Sequence, residues 1–155
     1  MNTFLTGEPG VGKSTIIEEA IRELRNYGKS VAGYYTTREI TSERKTFWIN
    51  DYVTGESVVM AVGDSNGNFE VNYDAFEIFA AEAISRPADV IVLDELGVFE
   101  EPCEKFKATV YELLGKPQTV LGVLKLRGGE FLDSIKARED VRITEVTIEN
   151  RDSLM

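Results

Sequence analysis

The chain contains no histidine. That excludes imidazole as general acid, base or metal ligand, and with it Ser-His-Asp chemistry and histidine-bound zinc. One cysteine, Cys103, leaves no intramolecular disulfide to form, which fits a reducing compartment. Positive charge is also scarce: 17 lysines and arginines stand against 27 acidic residues, for a formal net charge of -10. Such a balance argues against a broad nucleic-acid-binding face, although a small phosphate ligand needs only a local positive site. No apolar run reaches the roughly 18 residues of a membrane span. What remains, 43% hydrophobic and 28% charged residues in 155, reads as one globular domain over residues 1–155. The first motif begins at Gly7, with no room for a targeting peptide ahead of it, so a cytoplasmic location is expected. A monomer is the simplest assembly.

Gly7-Glu8-Pro9-Gly10-Val11-Gly12-Lys13-Ser14 reads G-x-x-x-x-G-K-[ST], the pattern of a phosphate-binding loop. The short apolar, β-branched run Thr3 to Thr6 precedes it as a strand, and Thr15 to Leu24 follows with helical spacing. Glycines let such a loop turn its N–H groups inward at a positive helix end, which suits phosphate oxygens. Gly7 through Thr15 are therefore the expected phosphate contacts. Lys13 is expected on the β- and γ-phosphates and the Ser14 hydroxyl on Mg²⁺.

A second strand is predicted at Val31 to Thr37. Arg44 to Val53 and Ser57 to Val62, each rich in β-branched and aromatic residues, then predict an antiparallel hairpin beside the nucleotide site. Gly63 to Asn68 reads as a loop, and Asn72 or Asp74 is positioned to cap a helix whose core stripe is Phe76, Phe79, Ala80, Ala83 and Ile84. Phe47, Trp48 and Tyr52 on the hairpin suit sheet packing, with base stacking as the alternative. A helix from Cys103 to Leu114, a strand from Thr119 to Leu124, a helix near Glu130 to Arg138 and a closing strand from Val141 to Ile148 complete the α/β alternation.

The run Val90-Ile91-Val92-Leu93 suits a strand buried on both faces, and Asp94-Glu95 follows at its carboxyl end, where open α/β sheets bind ligands. Asp94 fits a magnesium-associated aspartate. Glu95 is the candidate to orient or deprotonate an attacking water. Arg127, beside two glycines, and Arg138 are candidate transition-state cations, the alternative being ordinary surface arginines. Asn150 and Arg151 follow the last strand and can contact base or ribose; a helix cap and a solvated charge are the plain alternatives.

Taken together, Phe4 to Thr15, Gly33-Tyr34-Tyr35-Thr36, Asp94-Glu95-Leu96-Gly97 and Val146 to Arg151 resemble the P-loop nucleoside-triphosphatases first named from thermophiles, relatives of the cancer-related nucleoside-triphosphatase. The resemblance implies a three-layer, RecA-like α/β fold with a mostly parallel sheet. It also implies slow Mg²⁺-dependent hydrolysis of ATP, GTP, CTP and UTP with weak base discrimination. Lys13 takes the phosphate role in that reading, Ser14 and Asp94 the metal roles and Glu95 the catalytic carboxylate. One departure is Phe99, where the resemblance leads to methionine; it reads as a packing change. The strand ending in Gly122-Val123-Leu124 lacks the polar γ-phosphate sensor of motor ATPases. A nucleotide or nucleoside kinase and a nucleotide-dependent switch acting on a protein partner remain the competing functions. An arginine-rich lid and an N-K-x-D tetrapeptide, their respective markers, are both missing.

Overall fold

The computed structural model describes residues 1–154. Eight strands form one sheet in the order β5-β4-β3-β2-β6-β7-β1-β8. The parallel half comprises β1 (Asn2–Thr6), β2 (Val31–Ile40), β6 (Val90–Leu96), β7 (Thr119–Leu124) and β8 (Val141–Glu145). The antiparallel extension comprises β3 (Arg44–Asp51), β4 (Ser57–Asp64) and β5 (Phe69–Val71). The expected hairpin is thus a three-stranded meander. Its last strand falls beyond the Gly63 to Asn68 loop, where three residues were too few to carry a periodicity.

The alternation along β6 shows why its apolar run needs cover on both sides. Val90 and Val92 pack in one cluster with Ile16, Ile17 and Ile21 of α1 (Lys13–Asn26). Ile91 and Leu93 face the other way, into a larger cluster with Phe106, Val110 and Leu114 of α3 (Glu104–Leu114). A fully buried leucine such as Leu93 contributes roughly 1.5–3 kcal/mol, and truncating it to alanine costs about 2–5 kcal/mol once the cavity is counted. Two apolar layers around one sheet are the consequence.

The predicted helix after Asn72 begins as a π-helical stretch, Ala75–Ala80, and continues as α2 (Ala81–Ile84). Four residues of its stripe are buried, Phe76, Ala80, Ala83 and Ile84 each being at most 1% exposed, and Phe79 packs partly buried against the same core. Neither predicted cap acts as one. The Asp74 side chain makes no capping bond, and Asn72 Nδ2 instead donates to the Val59 carbonyl of β4. Glu77 faces α3 and accepts from the N–H groups of Phe106 at 2.8 Å and Lys105 at 3.4 Å, satisfying orphan donors at that helix start. Glu101 serves Phe131 of α4 (Glu130–Lys136) in the same way.

At the far end of the hairpin, buried Asp51 accepts from the N–H groups of Val53 and Thr54 and pairs with Arg86 beyond α2. Asn50 Nδ2 donates to the Tyr35 carbonyl and to Thr37 Oγ1, while Ser57 Oγ donates to Asn50 Oδ1. These bonds fix the carboxyl end of β2 against the hairpin. The last strand ends at Glu145, earlier than its alternation suggests, and the chain turns into the short α5 (Arg151–Leu154).

Candidate active site

Gly7, Gly10 and Gly12 adopt φ values of 148°, 80° and 104°, and β1 passes through them into α1. At Gly7 the requirement is doubled, because a Cβ there would lie 2.5 Å from the Val146 carbonyl oxygen. The loop therefore closes against the segment after β8, which also donates the Val146 N–H to Thr6 O at 2.8 Å. Lys13 folds back over the loop and donates from Nζ to the carbonyls of Gly7 at 2.6 Å and Glu8 at 2.9 Å. Burial lowers its pKa, opposed by Glu95, Asp94 and Glu8.

Asp94 and Glu95 end β6 two strands away, and Ser14 Oγ donates to Asp94 Oδ1 at 3.3 Å. The Asp94–Glu95 peptide bond is cis. Burial pushes Asp94 up to about 6, with the Ser14 hydrogen bond acting in the opposite direction. Glu95 is raised for the same first reason, moderated by Lys125, Lys13 and Arg38. A hydroxyl and a carboxylate at a phosphate nest are hard oxygen donors, as a divalent cation shared with a polyphosphate requires. Among the described residues no trio of acidic or thiol side chains converges into a protein-only metal cage.

These groups share a cavity of about 880 Å³ that runs along the carboxyl ends of the strands. Gly7, Glu8, Pro9, Gly10, Gly12, Lys13, Ser14, Thr15, Asp94, Glu95 and Arg127 all line it. Val11 instead turns its side chain into the core beside Leu5. Arg127 is exposed and pairs with Glu8 at 3.6 Å across the mouth. Arg151 lies on the other flank, in a recess of about 240 Å³ with Gly12, Thr15, Ile16 and Asp152.

Val11 and Arg151 thus lie outside the cavity, and two further candidates are brought to neither the cavity nor the recess. Arg138 is held bidentately by Asp140 ahead of β8, at the amino end of the sheet. Asn150 spends its side chain on the turn: Oδ1 accepts from Thr147 N–H at 2.7 Å and Nδ2 donates to Glu145 O at 3.0 Å.

Sequence reasoning passed over Arg38, Lys125, Phe69 and Glu100, all of which line the cavity, and read Phe99 as packing although it lines it too. Lys125 directly follows β7, so the strand-end argument that found Asp94 also reaches it. Of the hairpin aromatics, Phe47 lines the cavity, whereas Tyr52 packs at a tilt against Tyr35, with centroids 4.8 Å apart, and lies under Arg25.

The profile of the family described as NTPase matches residues 2–155. Nucleoside-triphosphatase THEP1 of Thermotoga maritima is 31% identical over 163 residues, covering 100% of this chain and 91% of that protein. The cancer-related nucleoside-triphosphatase homolog of Mus musculus is 32% identical, covering 99% and 92%. The crystal structure of THEP1 from Aquifex aeolicus superposes with a TM-score of 0.77 at 27% identity, covering 98% and 93%. The solution structure of a human cancer-related nucleoside triphosphatase also gives 0.77, at 29% identity. With a phosphate-binding loop facing an acidic strand end and similarity along its whole length, the chain belongs to the P-loop nucleoside-triphosphatase family.

Proposed function

We propose that the chain hydrolyses nucleoside 5'-triphosphates to diphosphate and phosphate in a Mg²⁺-dependent reaction with broad base tolerance. The observation that carries this reading is the approach of Ser14 Oγ to Asp94 Oδ1, 3.3 Å, within the cavity that also holds Lys13 and Glu95. In this reading the loop N–H groups from Gly7 to Thr15 bind phosphate oxygens. Lys13 exchanges the carbonyls of Gly7 and Glu8 for β- and γ-oxygens. Ser14 and Asp94 hold Mg²⁺, which when bound neutralises charge shared between the β- and γ-phosphates. Glu95 orients water in line with the γ-phosphorus and takes its proton. Arg127, exposed at the mouth, closes on the transferring group by leaving Glu8.

Base tolerance is supported by the recess beyond Thr15. Its charged side chains there, Arg151 and Asp152, are partly or fully exposed, so Arg151 can meet the α-phosphate and Asp152 a ribose hydroxyl without a buried, base-reading pair. The test is phosphate release from ATP, GTP, CTP and UTP with and without Mg²⁺, in the parent and in Lys13→Ala and Glu95→Gln. Metal-dependent release from all four, abolished in both variants, is the expected result. Release from one nucleotide alone, or release that survives Lys13→Ala, overturns it.

A further inference from the structure

The far half of the cavity sets Arg38 beside an aromatic cluster, Arg38 and Phe47 being partners in register on β2 and β3. Beyond Glu95 the walls become aromatic: Phe47, Phe69 and Phe99 form a triangle with ring centroids 5.2–5.9 Å apart. These rings keep partly or fully exposed faces, with Phe69 at 42%. The same cavity is lined by Glu100, a carboxylate only 2% exposed whose Oε1 lies beside Gly97. Each carboxylate oxygen has two acceptor sites, so such an acid has room for donors from a ligand. A buried acid of this kind is costly unless something repays its desolvation.

On the phosphate-site reading above, Lys13, Ser14 and Asp94 take the β,γ end of a triphosphate, which leaves the recess of Gly12, Thr15 and Arg151 for the nucleoside. The aromatic annex therefore lies on the opposite side of Glu95, beyond the γ-phosphate. A group standing there occupies the side from which an in-line nucleophile attacks.

We infer that the annex is a second-substrate subsite for an amino-substituted heteroaromatic alcohol, whose ring lies on the exposed faces of Phe47, Phe69 and Phe99 with its amino edge toward Glu100 and its hydroxyl toward the γ-phosphate. Aromatic walls select a flat ring, and the carboxyl of Glu100 selects an amino N–H beside a ring nitrogen that shares one proton with it. The reaction is phosphoryl transfer. The alcohol oxygen bonds to the γ-phosphorus, the bond from that phosphorus to the β,γ-bridging oxygen breaks, and the hydroxyl proton passes to Glu95 and on to solvent. The products are a phosphomonoester and a nucleoside diphosphate; hydrolysis is the same step with water as nucleophile. The inference rests on the phosphate-site reading above.

The probe is (6-amino-3-pyridyl)methanol, compared with benzyl alcohol, which lacks the N–H edge. The full chain is incubated with Mg²⁺ and γ-labelled ATP, and labelled ester and free phosphate are measured separately. Saturation-transfer NMR with ADP present reads probe binding directly. Expected are a labelled ester in the parent, at least tenfold less ester from benzyl alcohol, and at least a tenfold loss of ester in Phe69→Ala and in Glu100→Gln. Circular dichroism establishes that both variants are folded. Phosphate release with neither ester nor probe signal overturns the inference and leaves the hydrolase reading standing. A probe signal without ester overturns the acceptor role. A raised KM for ATP in Phe69→Ala, again without ester, overturns it by giving the annex to the nucleobase. Absence of both phosphate and ester, with no ATP binding, fails the underlying reading and takes the inference with it.

Discussion

Ser14 and Asp94, 80 residues apart in sequence, meet at 3.3 Å where the first helix begins and the central strand ends. The contact joins two motifs that neither local propensity nor composition connects. It depends on β1 and β6 both flanking β7, so that their carboxyl ends point the same way.

Asp94→Asn tests that junction. The amide keeps the size and can still accept from Ser14, but it loses the charge that a divalent ion requires. Phosphate release from ATP is expected to fall on the order of 100-fold or more, as for removal of one charge-stabilising group. A Mg²⁺ titration is the measurement. An unchanged half-saturation for the metal contradicts the assignment.

Lys13→Ala is expected to weaken nucleotide binding as well as turnover. A charge-assisted hydrogen bond contributes about 1.5–3 kcal/mol, or roughly 10- to 150-fold in affinity. The stabilisation of the parent by ADP and Mg²⁺ in a thermal melt should shrink by about the same 1.5–3 kcal/mol, since ligand stabilisation follows the logarithm of ligand concentration over Kd. Without nucleotide the variant melts close to the parent, because Lys13 bonds only to its own loop carbonyls.

Much of this site was legible because each motif sits where a strand stops. The loop after β1, Asp94 and Glu95 are local signals, read from a few neighbouring residues. The meander's third strand, Glu77 capping α3 and the meeting of Phe47, Phe69 and Phe99 are contacts between distant segments, and single-sequence periodicity carries no trace of them. Arg138 illustrates the reverse error. Nothing local distinguishes it from Arg127, yet α4 places it at the opposite end of the sheet, beside Asp140.

Gly33 shows a sequence marker acting through packing. It has φ of 108° in β2, and a Cβ there would stand 2.0 Å from the Val92 carbonyl oxygen, the partner in register on β6. Gly33→Ala must part the two strands that carry Thr36 and Asp94. A loss of roughly 3 kcal/mol or more is expected, in the range reserved for backbone strain and broken packing. Urea denaturation gives the value, and a change below about 1 kcal/mol means that β2 can shift freely.

Glu100 ties stability to pH. Burial lifts its pKa from 4.5 to about 7, so between these values the folded chain binds a proton that the unfolded chain has released. Stability contributed at this residue is therefore lost as pH rises from about 4.5 through 7, by on the order of 3 kcal/mol. Glu100→Gln keeps the size of the side chain and removes the titration. Asp94 and Glu95 shift in the same direction but are common to both proteins, so the difference between them isolates Glu100. The variant should equal the parent near pH 5 and exceed it by about 2–3 kcal/mol at pH 8 in urea melts. Parallel curves across that range mean that Glu100 already has a partner for its charge in the folded chain.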